Sequence, residues 1–260
     1  MRDGYNQLLE ANEGMRIDVI TLFPEMFEAV FEESIIKRAR EKNIVQIVVH
    51  NLRDYSSEKH GQVDDKPYGG GAGMVLQAPP VFSAVRSIGS QGKQGALILT
   101  SPQGQPFDQE LARRFSIEER LILLCGHYTG VDERVRIGLK PIEVSMGDFV
   151  LTGGEIPAMA IVDAVVRLLP ETVGDLECIT ADSFWNNLLG PPLYTRPRTF
   201  EGMMVPQVLL SGDHEAIEGW RRQRSFERTR HRRADLLDPD EALATQSDSD
   251  TLRSISEETS

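Results

Sequence analysis

Hydrophobic positions follow two different periods along the first two thirds of the chain. Short apolar runs predict five β-strands, at Arg16–Leu22, Ile44–His50, Ala96–Thr100, Arg120–Cys125 and Glu143–Ser145. Apolar residues three and four positions apart predict helices between them, from Pro24, near Val81–Ile88, near Asp108–Phe115 and from Val131. Strands that alternate with helices predict an α/β domain with a mostly parallel sheet.

Three further segments depart from this alternation. Ile156–Leu169 is apolar on nearly every face, which is typical of a buried helix. Leu52–Gly73 has neither period and is rich in Asp, Gly, Ser and His, so we interpret it as a long functional loop. Beyond about residue 200 the pattern becomes helical and basic, which predicts a small C-terminal domain.

These changes of pattern divide the chain into five predicted parts. They are a flexible extension, an α/β domain, a connector, a small helical domain and a disordered acidic tail, with bounds 1–14, 15–172, 173–198, 199–244 and 245–260. Met15 opens the first strand, and we expect it to be the natural or an alternative start. The other possibility is that the residues before it form a short ordered arm.

Charge is distributed unevenly along the chain. The 28 basic and 40 acidic residues give a net charge of −12, which by itself argues against binding to nucleic acid. However, the segment 215–233 holds seven arginines and three glutamates, whereas the segment 234–260 holds eight acids and one arginine. The arginine stretch predicts contacts with phosphates, and the alternative is a helix face exposed to solvent.

Composition excludes several classes of protein. Two cysteines, Cys125 and Cys178, are too few for a disulfide framework or a four-cysteine zinc site. The sequence contains no run of about 18 apolar residues, so it predicts no membrane-spanning helix. Met1–Gly14 lacks the apolar core of a secretory signal, so we expect a cytoplasmic protein without a membrane partner.

Glycine-bearing loops follow three successive predicted strands, at Thr100–Gly104, Gly126–Gly130 and Ser145–Glu155. The carboxyl ends of parallel strands meet at one edge of a sheet, where ligands bind. The sequence therefore predicts a pocket that recognises a small molecule through main-chain groups, unless each glycine serves only a tight turn. No phosphate-binding loop motif occurs, and Gly69–Gly73 lacks the dinucleotide-binding spacing.

Longer motifs make a specific resemblance. The segments that carry it are Val63–Met74, Ser101–Gly104, Cys125–Tyr128, Val131–Arg134, Ser145–Glu155, Asp182–Phe184 and Tyr194–Pro197. Together they resemble the bacterial tRNA (guanine-N1)-methyltransferase family, the TrmD family of the SPOUT superfamily. The resemblance extends from about Met15 to Leu237.

The resemblance implies properties that the spacing of residues does not. It implies an α/β fold of the SPOUT type, with a trefoil-knotted, mostly parallel sheet flanked by helices and a small helical C-terminal domain. It also implies a homodimer with active sites at the subunit interface. The methyl donor would be S-adenosylmethionine, and the substrate would be the guanosine at position 37 of tRNA, 3′ of the anticodon and preceded by guanosine. Magnesium is expected to be required, although no residue is assigned as its ligand.

The resemblance also assigns residues to the donor site. They come from the three glycine-bearing loops and the start of the buried helix: Leu99, Thr100, Ser101, Pro102, Gly126, Tyr128, Gly130, Ser145, Met146, Gly147, Asp148, Phe149, Val150, Leu151, Gly153, Gly154 and Pro157. Contacts with tRNA are expected from Asp64, Gly73, Ser183, Arg196, Arg221 and Arg224.

Two residues match the family's catalytic positions. Methylation of guanine N1 requires removal of the N1 proton, for which Asp182 is the expected base. Negative charge develops toward O6, which Arg167 is expected to stabilise. The simpler alternatives are that Asp182 caps a short helix over Phe184–Leu189 and that Arg167 pairs with Asp163 one helical turn earlier.

Two residues depart from the family pattern. Thr129 stands where the family usually carries glutamate, and Leu193 stands where it often carries a polar residue. Two other functions remain open at this point. One is a knotted RNA-binding protein that has lost methyl transfer, and the other is an α/β enzyme that uses the glycine loops for a nucleotide.

Overall fold

The computed structural model describes residues 14–92, 95–174 and 180–237. The chain divides into two units, Met1–Asp175 and Leu176–Ser260. Cys178 and the predicted acidic tail lie outside the described residues, as does most of the predicted N-terminal extension.

The described strands are β1 to β9 in chain order: Met15–Thr21, Val45–Asn51, Asp64–Asp65, Val75–Leu76, Ala96–Pro106, Arg120–Cys125, Ile142–Ser145, Thr199–Phe200 and Met203–Met204. The described helices are α1 to α7: Glu28–Phe31, Ser34–Glu41, Ala78–Gly89, Gln109–Ser116, Glu133–Leu139, Glu155–Val166 and His214–Arg232. Short 3-10 helices cover Pro24–Phe27, Leu52–Tyr55, Lys59–Gly61, Gln207–Leu210 and Ala234–Leu236.

Five strands of the first unit form one parallel sheet in the order β2-β1-β6-β5-β7. This confirms the predicted α/β class with a mostly parallel sheet. All six residues of β6 are buried, as expected for a central strand with both faces covered. Strands β3 and β4 form a separate antiparallel hairpin within the predicted loop Leu52–Gly73 and the residues after it.

Alternate residues of β6 enter two apolar cores on opposite faces of the sheet. Leu121 and Leu123 pack in a core with Ile161 and Val165 of α6. Ile122 and Leu124 pack in a second core that includes α3. Seven of the twelve residues of α6 are buried, but Ile156 and Asp163 are exposed on one side. The helix is therefore buried along one half and not on nearly every face.

The single helix predicted from Pro24 is wrong. The segment is a 3-10 turn followed by α1 and α2, and Ser34, the first residue of α2, has φ +53°. Apolar spacing alone continues across this break, because the side chains before and after it still reach the same core. The buried helix also ends at Val166 rather than Leu169, and β5 continues past Thr100 to Pro106 with a register shift.

In the second unit, α7 begins at a cap formed by Asp213, whose carboxylate accepts a hydrogen bond from the Ala216 N–H at 3.1 Å. The alternative interpretation of Phe184–Leu189 as a short helix is wrong. This segment is a turn in which Phe184 has φ +71° and its N–H donates to the Leu188 carbonyl at 2.7 Å. Asp182 therefore caps no helix here.

Candidate active site

A cleft of about 420 Å³ lies at the carboxyl ends of β5, β6 and β7. Its volume is within the range of small-molecule sites. All but two of the predicted donor-site residues line it: Leu99, Thr100, Ser101, Pro102, Gly126, Tyr128, Gly130, Ser145, Met146, Phe149, Val150, Leu151, Gly153, Gly154 and Pro157. Gly147 and Asp148 do not line the cleft, although their neighbours on both sides do. The three predicted loops therefore form one concave surface.

Two glycines of the cleft are required by close approach of the main chain. The Gly154 N–H donates to the Gly126 carbonyl at 2.7 Å, and the Gly126 N–H donates to the Thr100 hydroxyl at 3.2 Å. A Cβ atom on Gly154 would lie 2.0 Å from the Thr100 Oγ1, and one on Gly126 would lie 2.7 Å from the Thr100 carbonyl oxygen. Neither glycine has a positive φ, so neither serves only a tight turn. The three loops are therefore in direct contact with one another.

Buried polar groups support the floor of the cleft. Glu155, the first residue of α6, is 2% exposed and accepts a hydrogen bond from the Thr21 hydroxyl at 2.8 Å. His127 lies on the cleft wall with its Nδ1 3.8 Å from Glu155 Oε2 and its ring 5.0 Å from that of Phe23. Burial, together with the charge of Glu155, raises the pKa of the Cys125 thiol well above its ordinary value. Cys125 therefore remains protonated and is no nucleophile.

The cleft includes residues that were not predicted to be part of the donor site: Gln103, His127, Thr129, Val131, Arg136, Val144 and Thr152. Most are neighbours of predicted residues in the same loops, and this proximity in the sequence could have been used to predict them. Arg136 comes from α5 instead. Its side chain is held by Glu143 at 3.0 Å and by the Val131 carbonyl at 3.1 Å, contacts that sequence spacing does not reveal.

The predicted substrate residues Asp64 and Gly73 flank the glycine-rich segment of the first unit. Asp64 opens β3 and pairs with Leu76 in β4. Gly73 has φ +91° and lies against the Thr129 side chain, on the loop that lines the cleft. The structure therefore places Gly73 next to the predicted donor site.

The two predicted catalytic residues belong to different units. Arg167 is half-buried just after α6, and its N–H donates to the Asp163 carbonyl at 3.1 Å. Asp182 is exposed in the turn that precedes Ser183. The Ser183 hydroxyl accepts a hydrogen bond from the Gly190 N–H at 2.9 Å, which fixes the turn beside Asp182.

The remaining predicted tRNA contacts are exposed in the second unit. Arg196 follows the turn, whereas Arg221 and Arg224 lie on α7, where they pair with Glu218 at 2.7 Å and Glu227 at 2.6 Å. A surface depression of about 340 Å³ is lined by Pro192, Arg224, Glu227, Arg228, His231 and Arg232. Residues four apart share a helix face, so we call Arg224, Arg228 and Arg232 the arginine face.

A buried ionic network joins three neighbouring strands of the sheet. Asp18 of β1 is fully buried and contacts Arg16, Arg120 and His50 at 2.8 to 2.9 Å. Burial alone would raise the pKa of the Asp18 carboxyl, but the hydrogen bonds from His50, Arg16 and Arg120 outweigh it and hold that pKa well below its ordinary value. Asp18 is therefore ionised at neutral pH and ties β1 to β2 and β6.

Comparison with known proteins identifies the family of this chain. Residues 15–239 match the model of the family described as tRNA (Guanine-1)-methyltransferase TrmD. The chain belongs to this family. It is therefore an enzyme, and the family resemblance seen in the sequence is confirmed.

Curated relatives from distant bacteria agree with this assignment. The chain is similar to a tRNA (guanine-N(1)-)-methyltransferase of Moorella thermoacetica, with 55% identity over 225 residues, which cover 86% of this chain and 90% of the relative. It is 52% identical to a protein of the same name from Staphylococcus haemolyticus over 86% of this chain and 91% of the relative. A third, from Dictyoglomus turgidum, is 50% identical over 94% of this chain and 98% of the relative.

Proposed function

We propose that this enzyme transfers a methyl group from S-adenosylmethionine to N1 of guanosine 37 in tRNA, when that guanosine follows another guanosine. The observation that carries the proposal is the cleft formed by three loops in contact, in a chain that belongs to a tRNA (guanine-N1)-methyltransferase family. The family match supports the reaction. The cleft supports the place of the donor.

The cleft suits a donor with an adenine ring. Its walls combine apolar side chains such as Leu99, Val131 and Pro157 with the main chain of Gly126–Gly130 and Ser145–Leu151. Main-chain N–H and C=O groups can bind the adenine edge, and the apolar walls can enclose its faces. S-adenosylmethionine bound here would supply the methyl group from its positively charged sulfur, with cleavage of the bond between sulfur and methyl carbon and release of neutral S-adenosylhomocysteine.

The residues of this chain then have to manage the proton and the charge of the guanine. We assign Asp182 as the base that accepts the N1 proton, because a carboxylate acceptor is needed as N1 forms its bond to the methyl carbon. We assign Arg167 to the negative charge that develops toward O6. The half-burial of Arg167 favours this role, since a guanidinium shielded from water interacts more strongly with an anion.

Contacts with tRNA are proposed for both units. Asp64 and Gly73 would contact the target nucleotide, and Ser183 and Arg196 would act beside the base. Arg221 and the arginine face would bind phosphates, because Arg224, Arg228 and Arg232 concentrate positive charge on one side of α7.

A homodimer with active sites at the subunit interface is also proposed. Apolar side chains beside the cleft are unusually exposed: Phe149 by 56%, Val150 by 82% and Ile156 by 55%. Exposed apolar clusters of this kind mark association surfaces. We also infer the trefoil knot of this superfamily, on the basis of the family match.

Two proposals concern the surroundings of the enzyme. We propose that it works in the cytoplasm, where tRNA is found; no helix of the described segments is long and apolar enough to cross a membrane. The family resemblance also implies magnesium. Within residues 14–92, 95–174 and 180–237 no group of three or more His, Cys, Asp or Glu side chains is placed to hold a metal ion, so we assign no ligand and no step to it.

Incubation with S-adenosylmethionine carrying a labelled methyl group tests the proposal. Two tRNA transcripts are compared, one with guanosine at positions 36 and 37 and one with adenosine at 37. We expect label in the first transcript alone. Binding of both transcripts without label in either would contradict methyl transfer and support an RNA-binding protein.

A further inference from the structure

The glycine-rich segment Gly69–Gly73 connects β3 to β4 and packs closely at Gly73. Gly69, Gly70, Gly71 and Gly73 all have positive φ values. A Cβ atom on any of the first three would have no atom within 4 Å, and the preceding Tyr68 is fully exposed. A Cβ atom on Gly73 would instead lie 2.3 Å from the Thr129 Cγ2. The segment therefore contacts the domain at Gly73.

Thr129 contacts the end of this segment through its hydrogen-bonding groups and through its methyl group. Its N–H donates to the Met74 carbonyl at 3.1 Å, and its hydroxyl donates to the same oxygen. Its methyl group closes on the Cα of Gly73 so tightly that no side chain fits there. Thr129 also lines the cleft, so one residue faces both the cleft and the glycine-rich segment.

The contact continues into the hairpin that carries Asp64. The Leu76 N–H donates to the Gly130 carbonyl at 3.0 Å, and the Asp132 N–H donates to the Leu76 carbonyl at 2.9 Å. The other edge of β4 pairs with β3, in register from Asp64 to Leu76. The loop Gly126–Gly130 is thus hydrogen-bonded to β4, in which Leu76 lies opposite Asp64 of β3.

We propose that Thr129 is a positioning residue that couples occupation of the cleft to the glycine-rich segment and to Asp64. A ligand that packs against Tyr128, Thr129 and Gly130 restrains the loop, and Thr129 passes that restraint to Gly73 and Met74. The identity of the ligand rests on the proposed function, whereas the contact between Thr129 and Gly73 does not.

Alanine substitutions test the contact in the protein without ligand. In Gly73→Ala the new methyl group meets Thr129 Cγ2, whereas in the control Gly70→Ala a similar φ is strained without any contact. We expect Gly73→Ala to lower the melting temperature more than Gly70→Ala does. Thr129→Ser, which removes the methyl group and keeps the hydroxyl, should recover part of the decrease caused by Gly73→Ala and none of that caused by Gly70→Ala. Equal effects of Thr129→Ser on both would overturn the contact.

Limited chymotrypsin cleavage after the exposed Tyr68 tests the coupling. We expect saturating S-adenosylmethionine to slow this cleavage in the wild type. Thr129→Val, which keeps the shape but loses the hydroxyl, should weaken that protection by about fivefold, the value of one hydrogen bond. Thr172→Val, which removes a hydroxyl of the first unit outside the cleft lining, is the matched control and should keep the protection.

Steady-state kinetics separate positioning from a general loss of structure. Thr129→Val should raise KM for tRNA more than it changes kcat or the donor Kd, and Thr129→Ser should restore KM. Unaltered protection and KM in Thr129→Val would overturn the coupling. Failure of the wild type to bind S-adenosylmethionine, measured by calorimetry, would contradict the proposed function instead and leave the alanine experiment to decide the contact.

Discussion

At the scale of the residue, the cleft is defined by close contacts between the main chains of its loops rather than by reactive side chains. A Cβ atom at residue 154 would have no room, because Thr100 Oγ1 and the main-chain nitrogen of Gly126 lie too close. Motifs in the sequence indicated these three residues, but only the distances separate a glycine needed for close approach from one needed for a turn. Gly130, with φ +147° and open space around it, is of the second kind.

Replacement of Asp182 tests the assigned base. We expect Asp182→Asn to retain donor binding and to lower kcat by about 10²- to 10⁴-fold, the usual contribution of a general base. Single-turnover methylation measures the rate, and calorimetry measures donor binding. Glu201→Gln, which removes another exposed acid from the same unit, should methylate at the wild-type rate. A normal rate for Asp182→Asn would show that another group takes the proton.

Acid should destabilise the enzyme through Asp18. Since the folded-state pKa of Asp18 lies below its ordinary value, its contribution to stability is fully present above about pH 4 and is lost as the pH falls through the folded-state pKa. At pH 7 we expect Asp18→Asn to lower the free energy of unfolding by about 3–5 kcal/mol, because the charge of the buried Arg120 is no longer balanced by the Asp18 carboxylate. Urea denaturation at pH 7 and pH 3 should show a smaller acid effect in this variant than in the exposed control Asp54→Asn.

At the scale of the element, the alternation of strands and helices was predictable and the breaks were not. β6 was predicted to the residue because the short apolar run Leu121–Cys125 follows charged residues and stops at Gly126. The segment from Pro24 was wrong because helical spacing survives a break at Ser34. The extension of β5 to Pro106 depends on pairing with β7 across a register shift, which is a tertiary contact that no local pattern encodes.

The crossing of the loops gives a prediction at this scale. Gly154→Ala should lower the free energy of unfolding by about 1–3 kcal/mol, the usual cost of overpacking, and should weaken donor binding because the loop of Gly126 must move. Gly174→Ala places its methyl group in open space and should change neither quantity. Chemical denaturation and calorimetry provide the two measurements. Equal stability of the two variants would mean that the loops can separate without cost.

At the scale of the whole molecule, the net charge of −12 concealed a surface of the opposite sign. The local count of arginines revealed the stretch, and the structure places Arg224, Arg228 and Arg232 on one face of α7. The proposed homodimer could not be inferred from the hydrophobic pattern, because exposure of Val150 or Ile156 becomes visible only in the folded chain. Likewise, sequence spacing did not reveal Arg136, which reaches the cleft from a helix.

Salt dependence tests the arginine face. Removal of one arginine that binds a phosphate should reduce the slope of log affinity against log salt concentration by roughly 0.7 to 0.9. We therefore expect Arg232→Gln to flatten the slope for tRNA binding, whereas Arg114→Gln, exposed on the first unit, should leave it unaltered. Filter binding between low and moderate salt measures both. Identical slopes for the two variants would mean that this face of α7 is merely solvated.

The order of the strands has a consequence for synthesis of the protein. The central strand β6 pairs with β1, about a hundred residues earlier in the chain, and the cleft is complete only when Gly154 reaches Gly126 and Thr100. Contacts between distant residues form slowly, since a long loop must close first. A ribosome must therefore release most of the first unit before any donor site exists, and a nascent chain that ends before residue 154 has no complete cleft for a ligand to stabilise.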